Sequence, residues 1–250
     1  RAFIPFECLY IIMDRNEALS LLKEHVTTES LLGHCIATAA VMKGLAKELG
    51  EDENLYELIG ILHDIDFQEI DEDMEKHGKV GYEILKAAGI GDEIALPIRR
   101  HNHMLFDGEY TETVEICLQT ADSVSGLVIA CAYVKGGKIT EVTPKTVTKK
   151  YKAASFAAGC DRNRIAMSDS LLPRERMYEI AINEICSEDQ LTMWMYNDKV
   201  YSFYVELGHG YVKLSDYASY LGGMVEIGYD VIVPVTENML LTVREGKYTL

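Results

Sequence analysis

The stretch Leu58-Ile59-Gly60-Ile61-Leu62-His63-Asp64 decides how this chain is read. An apolar run of helical length ends in an imidazole and a carboxylate side by side, so both can turn toward one cation. Nitrogen and oxygen donors together suit a divalent transition metal, or Mg²⁺ if waters complete its shell. Working outward, His34, His77, His101 and Asp122 lie at distances that other helices can span. Five of the seven histidines (34, 63, 77, 101 and 103) fall within 70 residues. Packing alone does not explain such clustering inside apolar helices.

The flanking pattern is helical from residue 14 to about 188. Leu19, Leu21 and Leu22 predict a short amphipathic helix ending near His25. Thr28 or Glu29 opens a longer one with its apolar residues near helical spacing, stopped by Gly50. Asp52 or Glu53 caps the helix that carries His63-Asp64. Further helices are predicted over Lys76–Ala88, Glu93–Arg100, Thr111 or Thr113 to Tyr133, Lys145–Ala158 and Pro173–Cys186. Beyond Asp189 the composition changes: eight of fifteen tyrosines and the sole Trp fall in the last sixty residues. Val225, Ile227, Tyr229, Val231 and Val233 alternate with Glu226, Gly228 and Asp230, as in a strand. Gly208-His-Gly210 and Gly222-Gly223 read as turns. The expected architecture is mainly α, a helical bundle over residues 13–188, followed by a small α+β or β-rich appendage at 189–250. Residues 1–12 read as an extension lacking a cleavage pattern.

The bulk properties narrow the function. A net charge of −16 argues against extended nucleic acid as a partner, because such binding is driven by neutralising phosphates. No uninterrupted apolar stretch reaches the roughly 18 residues of a membrane span, so no membrane partner is expected. Six scattered cysteines without a CxxC pair read as reduced thiols in a cytoplasmic protein. A local basic island, Lys145, Lys149, Lys150, Lys152, Arg162 and Arg164, leaves room for a small anion; its plainer reading is a solvated helix face. The acidic stretch Asp66–Glu75 reads as a solvated loop.

Taken singly, His34 or the His63-Asp64 pair would be weak signals. Asp122 is stronger, because it interrupts the apolar series Ile116, Ala121, Val124, Leu127. A buried carboxylate without a partner costs several kcal/mol, roughly the penalty of an unpaired buried ion. His34, His63, Asp64 and Asp122 together supply two imidazoles and two carboxylates from three helices, a sufficient shell for one divalent ion with positions left for water or substrate.

The order His34…His63-Asp64…Asp122 resembles the HD superfamily of metal-dependent phosphohydrolases. The likeness extends through Leu62-His-Asp-Ile-Asp66, Lys76-His-Gly78, Arg100-His-Asn-His103, Ala121-Asp-Ser-Val-Ser-Gly-Leu127 and Lys149-Lys150…Arg162, and is nearest to the HD-superfamily hydrolases of bacteria and archaea that lack an assigned substrate. It implies an HD-type helical domain and hydrolysis of a phosphoester of a small, nucleotide-like metabolite by metal-bound hydroxide. By the same resemblance His77 and His101 would hold a second metal bridged by Asp64. One or two ions are thus expected, of Mn, Fe, Co, Ni or Mg. Asp64 would orient the reaction, and Asp66 or His103 would donate a proton to the leaving oxygen. The lysine that several such hydrolases carry after the dipeptide is replaced here by Ile65-Asp66-Phe67-Gln68. Phosphate contacts would therefore come from Arg99 or Arg100, or from Lys149, Lys150 and Arg164. Two other readings remain: a di-iron oxygenase on the same fold, and a ligand-sensing or scaffold domain with a structural metal.

Overall fold

The computed structural model describes residues 13–188 and three strands in the C-terminal region, 203–206, 211–214 and 227–229. The expected extension at 1–12, and most of the expected appendage with its glycine turns, lie outside the described residues. The chain divides into two compact units, residues 1–128 with 143–188, and residues 129–142 with 189–250. Assignment of 129–142 to the second unit departs from the sequence reading. No proline or linker composition marks residue 129, so the pattern carries no boundary there.

The first unit is all helix and turn among its described residues. It contains α1 (Arg15–His25), α2 (Glu29–Leu49), α3 (Glu53–Leu62), α4 (Lys79–Ala87), α5 (Asp92–Arg100), most of α6 (Thr113–Val134), α7 (Pro144–Tyr151), α8 (Arg162–Ala166) and α9 (Arg174–Ser187). The described part of the second unit holds a 3₁₀ turn at Ile139–Glu141 and an antiparallel sheet of order β1 (Phe203–Glu206), β2 (Tyr211–Leu214), β3 (Ile227–Tyr229). Phe203 pairs with Leu214 and Val212 with Tyr229. The expected alternating strand at 225–233 is thereby seen over its central residues.

Helix ends follow local chemistry. Asp14 and Glu17 form a capping box at the start of α1. Asp52 accepts from the amides of Asn54 and Leu55 to open α3. Gly50 closes α2 at φ 76°, a left-handed conformation that glycine adopts without a side-chain penalty.

The core forms where α2 and α3 cross. Ile59, Ile61, Leu62, Val41, Met42 and Leu45 are almost wholly buried. Each such side chain contributes about 1.5–3 kcal/mol of transfer free energy. The crossing is close because Gly60 faces Ala39: a Cβ at Gly60 would fall 2.5 Å from the Ala39 Cα. That closeness sets how His34 on α2 meets His63 after α3. α6 is long and apolar enough to span a membrane, but 78% of its most apolar window is buried within the protein. Its polar residues Glu115, Gln119 and Thr120 are buried as well, so α6 is a core helix.

Three expected helices change their limits. α3 stops at Leu62, so His63-Asp64 stands on the turn that follows rather than on the helix. α4 begins at Lys79 instead of Lys76, after a turn through Gly78 at φ 80°. α7 ends at Tyr151 instead of Ala158. Beyond it the Arg162 guanidinium donates to the carbonyls of Tyr151, Phe156, Ala157 and Cys160, organising residues 152–161 as a folded segment.

Candidate metal centre

His34 projects from the second turn of α2, Asp122 from the middle of α6, and His63-Asp64 from the turn after α3. His77 lies just before α4, and His101 just after α5. The fold gathers all six side chains at one place. His34 Nε2 lies 3.2 Å from both His63 Nε2 and Asp122 Oδ1. Asp64 Oδ1 lies 3.3 Å from Nε2 of His63 and of His101, and 3.4 Å from Nε2 of His77. Asp64 Oδ2 lies 3.5 Å from His34 Nε2. Among the described residues three donor groups result, His34–His63–Asp122, Cys35–His63–Asp64 and Asp64–His77–His101. The middle one shares His63 with the first and Asp64 with the last, and Asp64 lies within 3.5 Å of all four imidazoles.

The imidazoles are held with their Nε2 atoms inward. His63 Nδ1 donates to the Gly60 carbonyl at 2.9 Å, and His101 Nδ1 donates to the Ile98 carbonyl. His77 Nδ1 donates to Asp66 Oδ1 at 2.9 Å. A neutral imidazole with its Nδ1 proton engaged presents an Nε2 lone pair, the form a metal takes. Donors about 2.1 Å from one ion at right angles lie about 3 Å apart, close to the spacings seen here. The residues therefore fit one or two divalent cations in spacing, tautomer and donor type.

Asp66 departs from the acidic stretch that follows it. It is fully buried, whereas Glu69, Asp71 and Glu72 are not. Its Oδ2 accepts from the amides of Gly78 at 2.8 Å and Gly81 at 2.7 Å, the N-cap and third residue of α4. One carboxylate thus fastens the His77 ring and occupies the positive end of a helix. The later start of α4 follows from this contact. With Oδ1 on the His77 ring and Oδ2 on two backbone amides, Asp66 orients one imidazole of the cluster.

Asp122 is fixed from its other side. Its Oδ2 accepts from Arg164 Nη2, while Arg164 Nε donates to Gln119 Oε1 at 2.6 Å. Gln119 Nε2 donates to the His101 carbonyl at 2.8 Å. Arg164 is thus spent on Asp122 and Gln119 rather than held free for phosphate. Of the other expected phosphate contacts, Arg100 pairs with Glu115 at 3.0 Å, and Lys150 Nζ lies 4.2 Å from the Phe156 ring centre. Lys149 is exposed. No hydrogen bond or ion pair joins Arg100, Lys149 or Lys150 to the six clustered residues. His103 stands outside the cluster, 39% exposed in its side chain, with Nε2 3.9 Å from Asp161 Oδ2.

The electrostatics follow the geometry. Burial pushes the Asp64 carboxyl up, but the imidazoles of His63, His101 and His34 outweigh it and hold the group well below the usual carboxylate range. Burial opposes ionisation of Asp122 too, and the Arg164 guanidinium and His34 override it, leaving that carboxyl well below its ordinary value. Burial depresses the His34 imidazole, yet Asp122 and Asp64 together raise it above the ordinary histidine value. Burial and the Arg164 charge lower His103. Two depressed carboxyls thus stand beside one raised imidazole, His34, within the same cluster.

Gln119 and Asn102 are supporting contacts of the cluster that sequence reading missed. Asn102 Nδ2 donates to the carbonyls of Met74 at 2.7 Å and His77 at 3.1 Å, tying the turn before α4 to the end of α5. The only signal was that Asn102 stands between two histidines, and that Gln119 lies one helical turn before Asp122. Among the described residues Cys35, Cys117, Cys131, Cys160 and Cys186 form no disulfide, and Cys35, Cys117 and Cys131 are buried.

Residues 31–127 match the family model of the HD domain. The chain is 34% identical over 98 residues to Ribonuclease Y of Acetivibrio thermocellus, covering 39% of this chain and 18% of that one. It is 31% identical over 100 residues to Ribonuclease Y of Nitratidesulfovibrio vulgaris, with 40% and 18% covered. An uncharacterised protein of Methanocaldococcus jannaschii is 36% identical over 94 residues, with 36% of this chain and 54% of that one covered. The chain thus spans less than a fifth of the length of the ribonuclease relatives and about half of the archaeal one. No solved structure matches the chain significantly.

Proposed function

We propose that this HD-domain protein is a metal-dependent phosphohydrolase acting on a phosphoester of a small, nucleotide-like metabolite. The observation that carries the reading is Asp64, whose carboxylate faces four inward-pointing imidazole nitrogens at 3.3–3.5 Å. His34, His63 and Asp122 would hold one cation and His77 and His101 a second, with Asp64 shared. Bound ions supply Lewis acidity toward phosphoryl oxygens and water of lowered pKa.

The protein's own residues do the rest. Asp66 and the carbonyls of Gly60 and Ile98 keep three imidazoles in one tautomer, so the centre needs no reorganisation during the reaction. Arg164 offsets the charge of Asp122. His103, 39% exposed in its side chain and lowered in pKa by partial burial and the Arg164 charge, is our candidate to exchange a proton with a leaving oxygen.

The name Ribonuclease Y, carried by relatives that match about two fifths of the chain, supports a phosphodiester among the candidate substrates. The net charge of −16, and Glu72 at the cavity beside His34, favour a short anionic substrate over a long nucleic acid. A cytoplasmic location agrees with that substrate class. The test is metal content of protein purified without added metal, then phosphate release from a panel of nucleotides and phosphorylated metabolites, with Asp64→Ala beside it. Bound metal and turnover that Asp64→Ala abolishes support the reading. Metal without hydrolysis of any phosphoester overturns the hydrolase and directs attention to oxygen chemistry or sensing. Absence of metal under every condition removes the centre itself.

A further inference from the structure

A cavity of about 600 Å³ opens between the 103–110 segment and residues 166–170, within the size range of small-molecule sites. One wall is aromatic. The rings of Phe106 and Tyr110 lie 4.9 Å apart at 37°. Each is held in place. Tyr110 Oη donates to the Arg100 carbonyl at 2.7 Å. The Arg100 guanidinium lies 5.9 Å from the Phe106 ring centre. Gly108 permits the arrangement, since a Cβ there would fall 2.6 Å from Phe106 Cζ. Ile116 and Met167 add apolar surface, and Glu109 supplies an exposed acceptor at the rim.

The cavity is connected to the metal centre through covalent and polar links. His103 lines it and is two residues from His101. Asp161 joins His103, at 3.9 Å, to the amide of Arg164, at 3.4 Å, and Arg164 holds Asp122. An organic group seated against Phe106 and Tyr110 would thus sit beside His103, two residues from a cluster imidazole. An aromatic wall with one carboxylate acceptor suits a planar heteroaromatic ring that carries amino donors.

We propose that this cavity binds the base of a nucleotide, stacked on the Phe106–Tyr110 wall, with Glu109 accepting from its ring amino groups. The inference rests on the phosphohydrolase reading for the placement of the phosphate. The cavity side can nevertheless be tested separately. Metal-loaded protein is assayed with the four ribonucleoside 5′-monophosphates and with ribose 5-phosphate, and binding of the free nucleosides is followed by calorimetry. Tyr110→Ala removes one stacking face; Ser170→Trp obstructs the cavity from an exposed position.

Loss of one base–aromatic stack raises KM for the preferred nucleotide by roughly 5- to 100-fold. Turnover of ribose 5-phosphate and metal content stay at the wild-type level in both variants. Equal effects on nucleotide and sugar phosphate, or no effect on either, would overturn the proposal and leave the hydrolase intact. Phosphoester hydrolysis without detectable binding of any nucleoside would also overturn it. Nucleoside binding that Ser170→Trp abolishes, in a protein that hydrolyses no phosphoester, would support the cavity and sink the hydrolase reading.

Discussion

The two halves of the metal centre meet at Asp64 but are built on different principles. His77 and His101 stand at helix boundaries, and their side chains are 5% and 2% exposed. Backbone carbonyls and Asp66 fix their rings, and Asn102 ties their segments together. His34 and Asp122 instead rise from within two long helices, and the His34 side chain is 25% exposed. Their rigidity comes from α2 and α6 and from a guanidinium that offsets one charge. The contrast separates two settings: the His77–His101 half is wholly buried and fixed by hydrogen bonds, whereas the other half keeps one such anchored imidazole, His63, and reaches solvent at His34. The cavity beside His34, lined also by Phe67 and Gln68, is the physical expression of that opening.

The strongest way to break the comparison is to remove the residue both halves share. Asp64→Ala is expected to lower metal content in both halves and reduce hydrolysis by at least about 10³-fold, because several kcal/mol of charge stabilisation are lost. Elemental analysis beside phosphate release checks this. Retention of full metal content would mean that the halves are independent sites.

A second change separates the halves through their supports. Arg164→Met leaves Asp122 without its partner; breaking a buried pair costs about 3–5 kcal/mol, less here because the side chains keep 12% and 17% exposure. A bound cation replaces the missing positive charge, so metal should raise the melting temperature of Arg164→Met more than that of the wild type. Thermal melts with and without Mn²⁺ measure the difference. Equal metal-dependent shifts would show that Arg164 does not act through Asp122.

The matching change in the buried half is Asp66→Asn. It should weaken binding of the His77-held ion by roughly 10–100-fold and cost about 1–3 kcal/mol of stability through unsatisfied amides at the start of α4. Metal titration followed by denaturant melts would detect both. An unchanged affinity would reduce Asp66 to a helix cap.

Much of this contrast was legible before any coordinates. Histidines and aspartates inside apolar helical pattern announce themselves, because burying them needs a reason; all six expected ligands fall into the cluster. The supports were harder to read. Asp66 looked like the first member of an acidic loop, and only the turn through Gly78 reveals that its carboxylate is directed inward onto backbone amides. Gln119 and Asn102 are ordinary polar residues in sequence, and their importance depends on which carbonyl lies opposite. Arg164 is expected from sequence at a substrate phosphate, whereas its guanidinium lies on Asp122 and Gln119. Contacts of this type depend on register between elements far apart in the chain, which local periodicity does not encode. The aromatic wall at Phe106 and Tyr110 was invisible for the same reason, since those residues lie in a non-helical segment without a period.

The smallest expected effect is also the most direct probe of the open half. The His34 imidazole is raised above its ordinary value of 6.5 in the folded, metal-free protein, by Asp122 and Asp64 against the opposing effect of burial. Its contribution to stability is then fully present below that ordinary value and is lost as pH rises through the raised one. Asp64 and Asp122 are depressed, so their contribution is present above the ordinary carboxylate range and lost only on strong acidification. Metal-free protein should therefore melt at progressively lower temperature as pH rises from 6 toward alkaline values. Metal binding must displace the proton from His34, so affinity should climb over the same interval with proton release. Melts of chelator-treated protein across that range, compared with His34→Asn, give the sign. A melting temperature that rose with pH in the wild type, or fell equally in His34→Asn, would place the proton elsewhere in the cluster and remove the distinction between an open, protonatable half and a closed anchor.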